Sequence, residues 1–149
     1  MDEANTDRQA WLGLLARAPE GRAAGLLAEA GLSEEVNFLR QPEIGSVMVR
    51  GRAGGTGAAF NFGEVTVTRC SLRLGCGTVG HGHVQGRRKA DAEAAAMVDA
   101  LMQTDRADEV RRSVLEPLRA EEAFRRQARA SRAAATKVEF FTMVRGENK

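Results

Sequence analysis

Val65-Thr66-Val67-Thr68-Arg69-Cys70-Ser71-Leu72-Arg73-Leu74, the turn Gly75-Cys76-Gly77, and then Thr78 to Gln85 form the stretch that decides the fold. Side chains alternate across a strand. Thr66, Thr68, Cys70, Leu72 and Leu74 therefore share one face, and Val65, Val67, Arg69, Ser71 and Arg73 share the other. Upstream, Val36 and Phe38 alternate in one segment and Val47 and Val49 in the next. A glycine-rich break separates them from the long run. Short alternating runs punctuated by turn residues predict an antiparallel meander of about four strands.

On both sides the period changes to that of a helix. Thr6-Asp7-Arg8-Gln9 reads as a capping box, and Trp11, Leu14, Leu15 and Ala18 follow at helical spacing. Pro19 ends that helix and suits the first turn of another. In the second helix Leu26, Leu27 and Ala30 are the apolar side and Gly31 is a left-handed stop. After Lys89, the residues Ala94, Met97, Val98, Leu101 and Met102 make a stripe, with Asp91, Glu93 and Asp99 off it. Val110, Val114 and Leu115 predict a further helix stopped by Pro117. Ala120 to Ala135, rich in alanine and arginine, is helical by propensity. The expected architecture is α+β. A helix pair is followed by the meander, C-terminal helices and a strand-like tail, all in one domain over residues 1–149.

A chain of 149 residues can bury a core without disulfide or metal staples. The acidic start, Met1-Asp2-Glu3-Ala4-Asn5, does not resemble a secretory signal, and no apolar run is long enough to span a bilayer. The expectation is a cytoplasmic protein with Cys70 and Cys76 as free thiols and no membrane partner. Net charge is +2 but polarised. Residues 1–45 hold eight acids against four bases, and residues 46–149 hold twelve acids against eighteen bases. That distribution suits docking to charged partners or anionic ligands.

Five segments could carry function. Arg50-Gly51-Arg52-Ala53-Gly54-Gly55-Thr56-Gly57 could cradle a phosphate: glycines let several N–H groups converge and arginines add charge. Its spacing is not that of a P-loop, no Lys-Ser/Thr follows and no helix starts there, so a flexible connection between strands is the favoured reading. Gly86-Arg87-Arg88-Lys89 sets three bases at a helix N-terminus, against the macrodipole, as an anion or acidic partner there would explain. The other explanation is that the three side chains splay into water. His81 and His83 point the same way on a strand, but no zinc spacing surrounds them, so no metal site is expected. The helix with Arg119, Arg125, Arg126, Arg129 and Arg132 lacks the aromatics that stack bases and the apolar face that enters membranes. It reads as a solvated helix or one packed on an acidic partner. Finally, Phe140, Phe141, Met143 and Val144, with Arg145, need burial in the chain's own sheet or in a neighbouring subunit.

No nucleophile elbow, CxxC or HExxH is present, there is no tyrosine, and histidine is scarce. No catalytic residue is expected. Read from residues alone, this is an α+β domain that binds partners, with an anion as a candidate ligand. A stand-alone anion- or nucleic-acid-binding module using Arg87, Arg88, Lys89 and the arginine-rich helix is the alternative.

In order along the chain, several segments resemble PhnG, a core subunit of the bacterial carbon–phosphorus lyase machinery. They are Arg8-Gln9 with Trp11, Arg52-Ala53-Gly54-Gly55-Thr56-Gly57, Thr68-Arg69 with Arg73-Leu74, and Val84-Gln85-Gly86-Arg87. Asp99-Ala100-Leu101-Met102-Gln103 and Phe140-Phe141-Thr142-Met143-Val144-Arg145-Gly146 complete the set. The resemblance implies a subunit that assembles with the H, I and J subunits, and with the L protein for the first step. It implies that the assembly transfers the ribose-triphosphate group of ATP to methylphosphonate and releases adenine. The J subunit would later break the carbon–phosphorus bond with an iron–sulfur cluster and S-adenosylmethionine. It implies no cofactor and no catalytic residue on this subunit, and no nucleic-acid partner. His81, His83, Cys70 and Cys76 belong to no motif of that family.

Overall fold

The computed structural model describes residues 3–137. The apolar tail named above, with Phe140, Phe141, Met143, Val144 and Arg145, lies outside the described residues. Helix α1 spans Glu3–Ala16 and α2 spans Arg22–Glu29. Strands β1 (Val36–Arg52), β2 (Ala59–Leu74) and β3 (Val79–Gln85) form an antiparallel sheet in the order β1-β2-β3. Helix α3 (Lys89–Leu101), the short α4 (Ala107–Val110), a π-helical turn at Arg111–Leu115 and α5 (Glu116–Ala135) complete the described chain.

The α+β reading holds, with three strands among the described residues in place of about four in the meander. The two upstream runs around Val36 and Val47 are one strand. Register irregularities between Phe38 and Glu43 absorb the Gln41-Pro42 interruption, and pairing with β2 then continues to Arg52. The capping box is also displaced. Helix α1 already runs from Glu3, so Thr6 lies inside it. Pro117 does not stop its helix either. Glu116 N–H bonds back to the Arg111 carbonyl through the widened π turn, and the helix passes through the proline into α5. Gly31 does end α2, at φ 64°. Leu32 N–H reaches the Leu27 carbonyl at 3.0 Å and Gly31 N–H the Ala28 carbonyl at 3.1 Å, which is a Schellman stop.

One face of the sheet carries Thr68, Cys70, Leu72, Leu74 and Val84, all buried. Helix α3 lies on that face. Its approach is set by Gly80 and Gly82, since a Cβ on Gly80 would stand 2.0 Å from the Ala96 carbonyl oxygen. On Gly82 it would stand 2.2 Å from that of Ala92. Alanines at 92, 96 and 100 complete a contact in which backbone meets backbone. Trp11, Leu14, Leu15, Leu26, Leu27, Leu101, Val110, Val114, Leu115 and Leu118 close the core around α3.

Strand β3 pairs with β2 only from Val67 to Arg73. Beyond that, β1 and β2 continue as a two-stranded ribbon from Ser46 and Thr66 to the turn after Arg52. Over seven residues such a ribbon reaches about 23 Å.

Candidate functional site

The polar groups of α3 are the first surprise. Read by hydropathy, Asp91 and Asp99 fall off the apolar stripe, yet both are buried, Asp99 completely. Asp99 accepts four hydrogen bonds. Arg8 donates two in fork geometry, Nε to Oδ1 at 3.0 Å and Nη2 to Oδ2 at 2.7 Å. Trp11 Nε1 donates at 3.0 Å and the His81 backbone N–H at 2.9 Å. The ion pair with Asp99 holds the Arg8 guanidinium above its usual range. The His81 N–H lies on the edge of β3 that no strand covers among the described residues, and Gln103 Nε2 donates to the Val79 carbonyl on the same edge at 2.9 Å. Side chains of the α3 region thus bond the β3 edge that faces away from β2. A carboxylate with its acceptor sites filled in this way is a structural hub and no general base.

The elbow between β3 and α3 is built similarly. The Thr68 hydroxyl donates to the Gly86 carbonyl at 2.6 Å and accepts from Arg88 N–H at 2.9 Å. Gly86 has φ 86°, so the turn needs a glycine. Arg88 folds back, donating from Nη1 to the Ala18 carbonyl at 2.8 Å and from Nε to the Gln85 carbonyl at 2.8 Å. It also pairs with Asp91 at 3.3 Å. Asp91 in turn accepts the Gly21 N–H, at 3.0 Å and 3.1 Å to its two oxygens. Of the three bases expected to face an anion at this helix end, Arg88 is therefore committed to tying α1, the elbow and α3 together. Arg87 and Lys89 remain exposed.

The glycine-rich segment is the tip of the β1–β2 ribbon. Gly54 and Gly55 have φ 59° and 79°. The loop bonds to itself: Gly57 N–H reaches the Ala53 carbonyl at 2.9 Å, and Arg52 Nη1 reaches the Gly57 carbonyl at 3.1 Å. Thr56 is exposed beside them. The ribbon behind this tip carries Val47, Met48, Val49, Phe60, Phe62 and Val65, all more than a third exposed, with Phe62 at 75%, and Ile44 is exposed at its base. Val47 pairs with Val65 and Val49 with Gly63. Phe60 and Phe62 meet edge to face at 6.2 Å. One side of the ribbon is thus a run of valine and phenylalanine.

His81 and His83 lie on the sheet face away from α3, opposite the two glycines. His81 Nδ1 shares a hydrogen bond with the Ser71 hydroxyl at 2.9 Å. Burial holds the His83 imidazole below its usual range, and the charge of Arg69 adds to this. No cluster of three or more metal-ligating side chains occurs among the described residues. Burial pushes the Cys70 thiol up to about 11, which makes it a poor nucleophile, whereas Cys76 is exposed and a bond with Thr78 lowers it.

The acidic residues Glu121 and Glu122 of α5 face the body, while Arg119, Arg126, Arg129 and Arg132 are exposed. Arg17 Nε meets Glu122 at 2.8 Å, and Arg22 meets Glu121 at 2.8 Å. A cleft of about 360 Å³ brings Arg125, Arg126 and Arg129 of α5 to Arg17 and Gln85. No helix of the described chain is long and apolar enough to cross a membrane.

A small α+β body, with its buried carboxylates spent on internal bonds and an apolar ribbon held out from it, is the design of a domain that joins other chains. Comparison with known families gives that class a particular identity. Residues 6–146 match the family described as phosphonate metabolism protein PhnG, and the chain belongs to that family. The alpha-D-ribose 1-methylphosphonate 5-triphosphate synthase subunit PhnG of Rhizobium meliloti (strain 1021) is 43% identical over 151 residues, covering 99% of this chain and 94% of the relative. The family motifs quoted above become intelligible in the fold. Arg8, Trp11 and Asp99 are one bonded unit, and Thr68 and Gly86 are another, joined by the Arg88 N–H.

Proposed function

We propose that this chain is an accessory, non-catalytic subunit of an alpha-D-ribose 1-methylphosphonate 5-triphosphate synthase acting in phosphonate catabolism. In that reading the assembled enzyme transfers the ribose-triphosphate group of ATP to methylphosphonate and releases adenine. The chemistry belongs to an I-type subunit, with H and J subunits in the same core and an L protein required for this step. The chain itself binds no cofactor. ATP is the substrate of the assembly, and an iron–sulfur cluster with S-adenosylmethionine serves the J subunit in the later cleavage.

The observation that carries the reading is the ribbon. A two-stranded hairpin is marginal in water by itself, and this one exposes six large apolar side chains beyond the edge of the three-stranded sheet. An apolar patch of this kind, glycine-tipped and flanked by Arg50 and Arg52, is an assembly surface. Burying Phe62 and Val47 against a partner supplies the anchors that interfaces depend on. Phe140, Phe141, Met143, Val144 and Arg145 of the tail supply a second attachment.

Co-expression with an I-type partner tests this. Wild-type chain should co-purify with it at a fixed ratio, whereas Phe62→Ser combined with Val47→Ser should weaken the complex by at least about 2 kcal/mol while leaving the fold intact. Undiminished co-purification of the double variant would remove the ribbon from the interface.

A further inference from the structure

We propose that the cleft between α5 and the end of β3 binds the triphosphate of a nucleotide. The proposal rests on reading the chain as a synthase subunit, because that reading puts a triphosphate substrate within the assembly. The cleft itself is made of this chain's residues. Arg17 enters from the end of α1, Gln85 from the end of β3, and Arg125, Arg126 and Arg129 from successive turns of α5. Four guanidinium groups thus line about 360 Å³ together with one carboxylate, Glu122.

That carboxylate is already committed. Arg17 bonds it at 2.8 Å and holds it below the usual carboxylate range, and the charges of Arg126 and Arg125 push it the same way. Glu122 therefore neutralises one of the four cations and leaves an excess of three. Among the described residues Arg125, Arg126 and Arg129 form no ion pair. Like charges one helical turn apart destabilise a helix unless something negative is shared between them. Planar guanidinium forks match phosphate oxygens in pairs, so a polyphosphate chain with several charged oxygens satisfies the set at once. Arg125, Arg126 and Arg129 meet Arg17 in one partly open cleft, and Arg125 and Arg129 also border Arg132 in the next groove along the helix. Arg119 and Arg132 of the same helix lie outside it. A compact polyanion fits that arrangement better than an extended nucleic-acid backbone.

The test is calorimetric titration of the full chain with inorganic tripolyphosphate at low salt. Arg125→Ala combined with Arg129→Ala is compared with a charge-matched control, Arg119→Ala combined with Arg132→Ala. The expected result is saturable binding by the wild type, a loss of at least about tenfold in the cleft variant, and a change within about twofold in the control. Equal losses in both variants would mean diffuse charge attraction, and absence of saturable binding would mean no site; either overturns the proposal. So does unchanged tripolyphosphate binding by a cleft variant that no longer co-purifies with its partner, because the cleft is then a protein contact. Co-purification of the wild-type chain keeps the accessory-subunit reading standing even where the triphosphate site fails.

Discussion

Asp99 shows what one buried charge does for this molecule. Its bonds reach α1 through Arg8 and Trp11 and the outer edge of β3 through the His81 N–H, so a single carboxylate on α3 fastens three elements. Asp99→Asn would turn an amide N–H₂ toward donors and leave Arg8 without its counter-charge. Removing one partner from a buried pair costs about 3–5 kcal/mol, and urea unfolding of the variant should show a loss of that size. A loss below about 1 kcal/mol would mean that Asp99 is not the fastening point. Cys70 offers a test in pH. Its folded thiol is raised from 9.0 to about 11, so the folded form keeps a proton that the unfolded chain releases first. Stability from this residue is complete below pH 9 and falls as pH rises toward 11. Urea midpoints measured at both ends of that window should drop for the wild type and drop less for Cys70→Ala. Neither aspartate was legible as a buried group, because a hydropathy stripe assigns every charge to the solvent side. The legible signal lay elsewhere on α3, where alanines surround the helix and leave no broad polar face.

Among the elements, β3 and α3 define the body through what is missing from their surfaces. Gly80→Ala and Gly82→Ala each insert a methyl group into helix backbone and should destabilise by about 1–3 kcal/mol or more. Gly45→Ala and Gly63→Ala, with nothing within 4 Å of the added carbon, should leave the unfolding midpoint nearly unchanged. Equal effects in the two pairs would contradict the close packing of strand and helix. In Val79-Gly80-His81-Gly82-His83 the histidines draw attention as possible ligands, and the alternating glycines that set the helix distance are easily passed over. The face assignment of β2 was fully legible, since a regular strand obeys a period of two. The strand count and the Pro117 stop were not. Both depend on local irregularities, a bulge in β1 and a π turn before α5, which let a chain continue past a residue that normally ends an element.

At the scale of the molecule, the body and the ribbon have different tasks. The body's charged groups are largely spent on holding α1, α2 and α5 in place, through Arg17 with Glu122, Arg22 with Glu121 and Arg88 with Asp91. The ribbon's apolar groups are left for something else. Alternation in Val47, Val49 and Val65 made a strand legible but could not show that its partner face would stay bare, because burial there is decided by where β3 ends. The arginines of α5 were legible as a charged helix, while their convergence with Arg17 and Gln85 exists only in three dimensions. The account as a whole is tested by adenine release from ATP in the presence of methylphosphonate. The purified chain alone should release none, and the assembly containing it should release adenine at a rate that collapses when Phe62→Ser and Val47→Ser are introduced together. Sustained adenine formation by the isolated chain would contradict an accessory role.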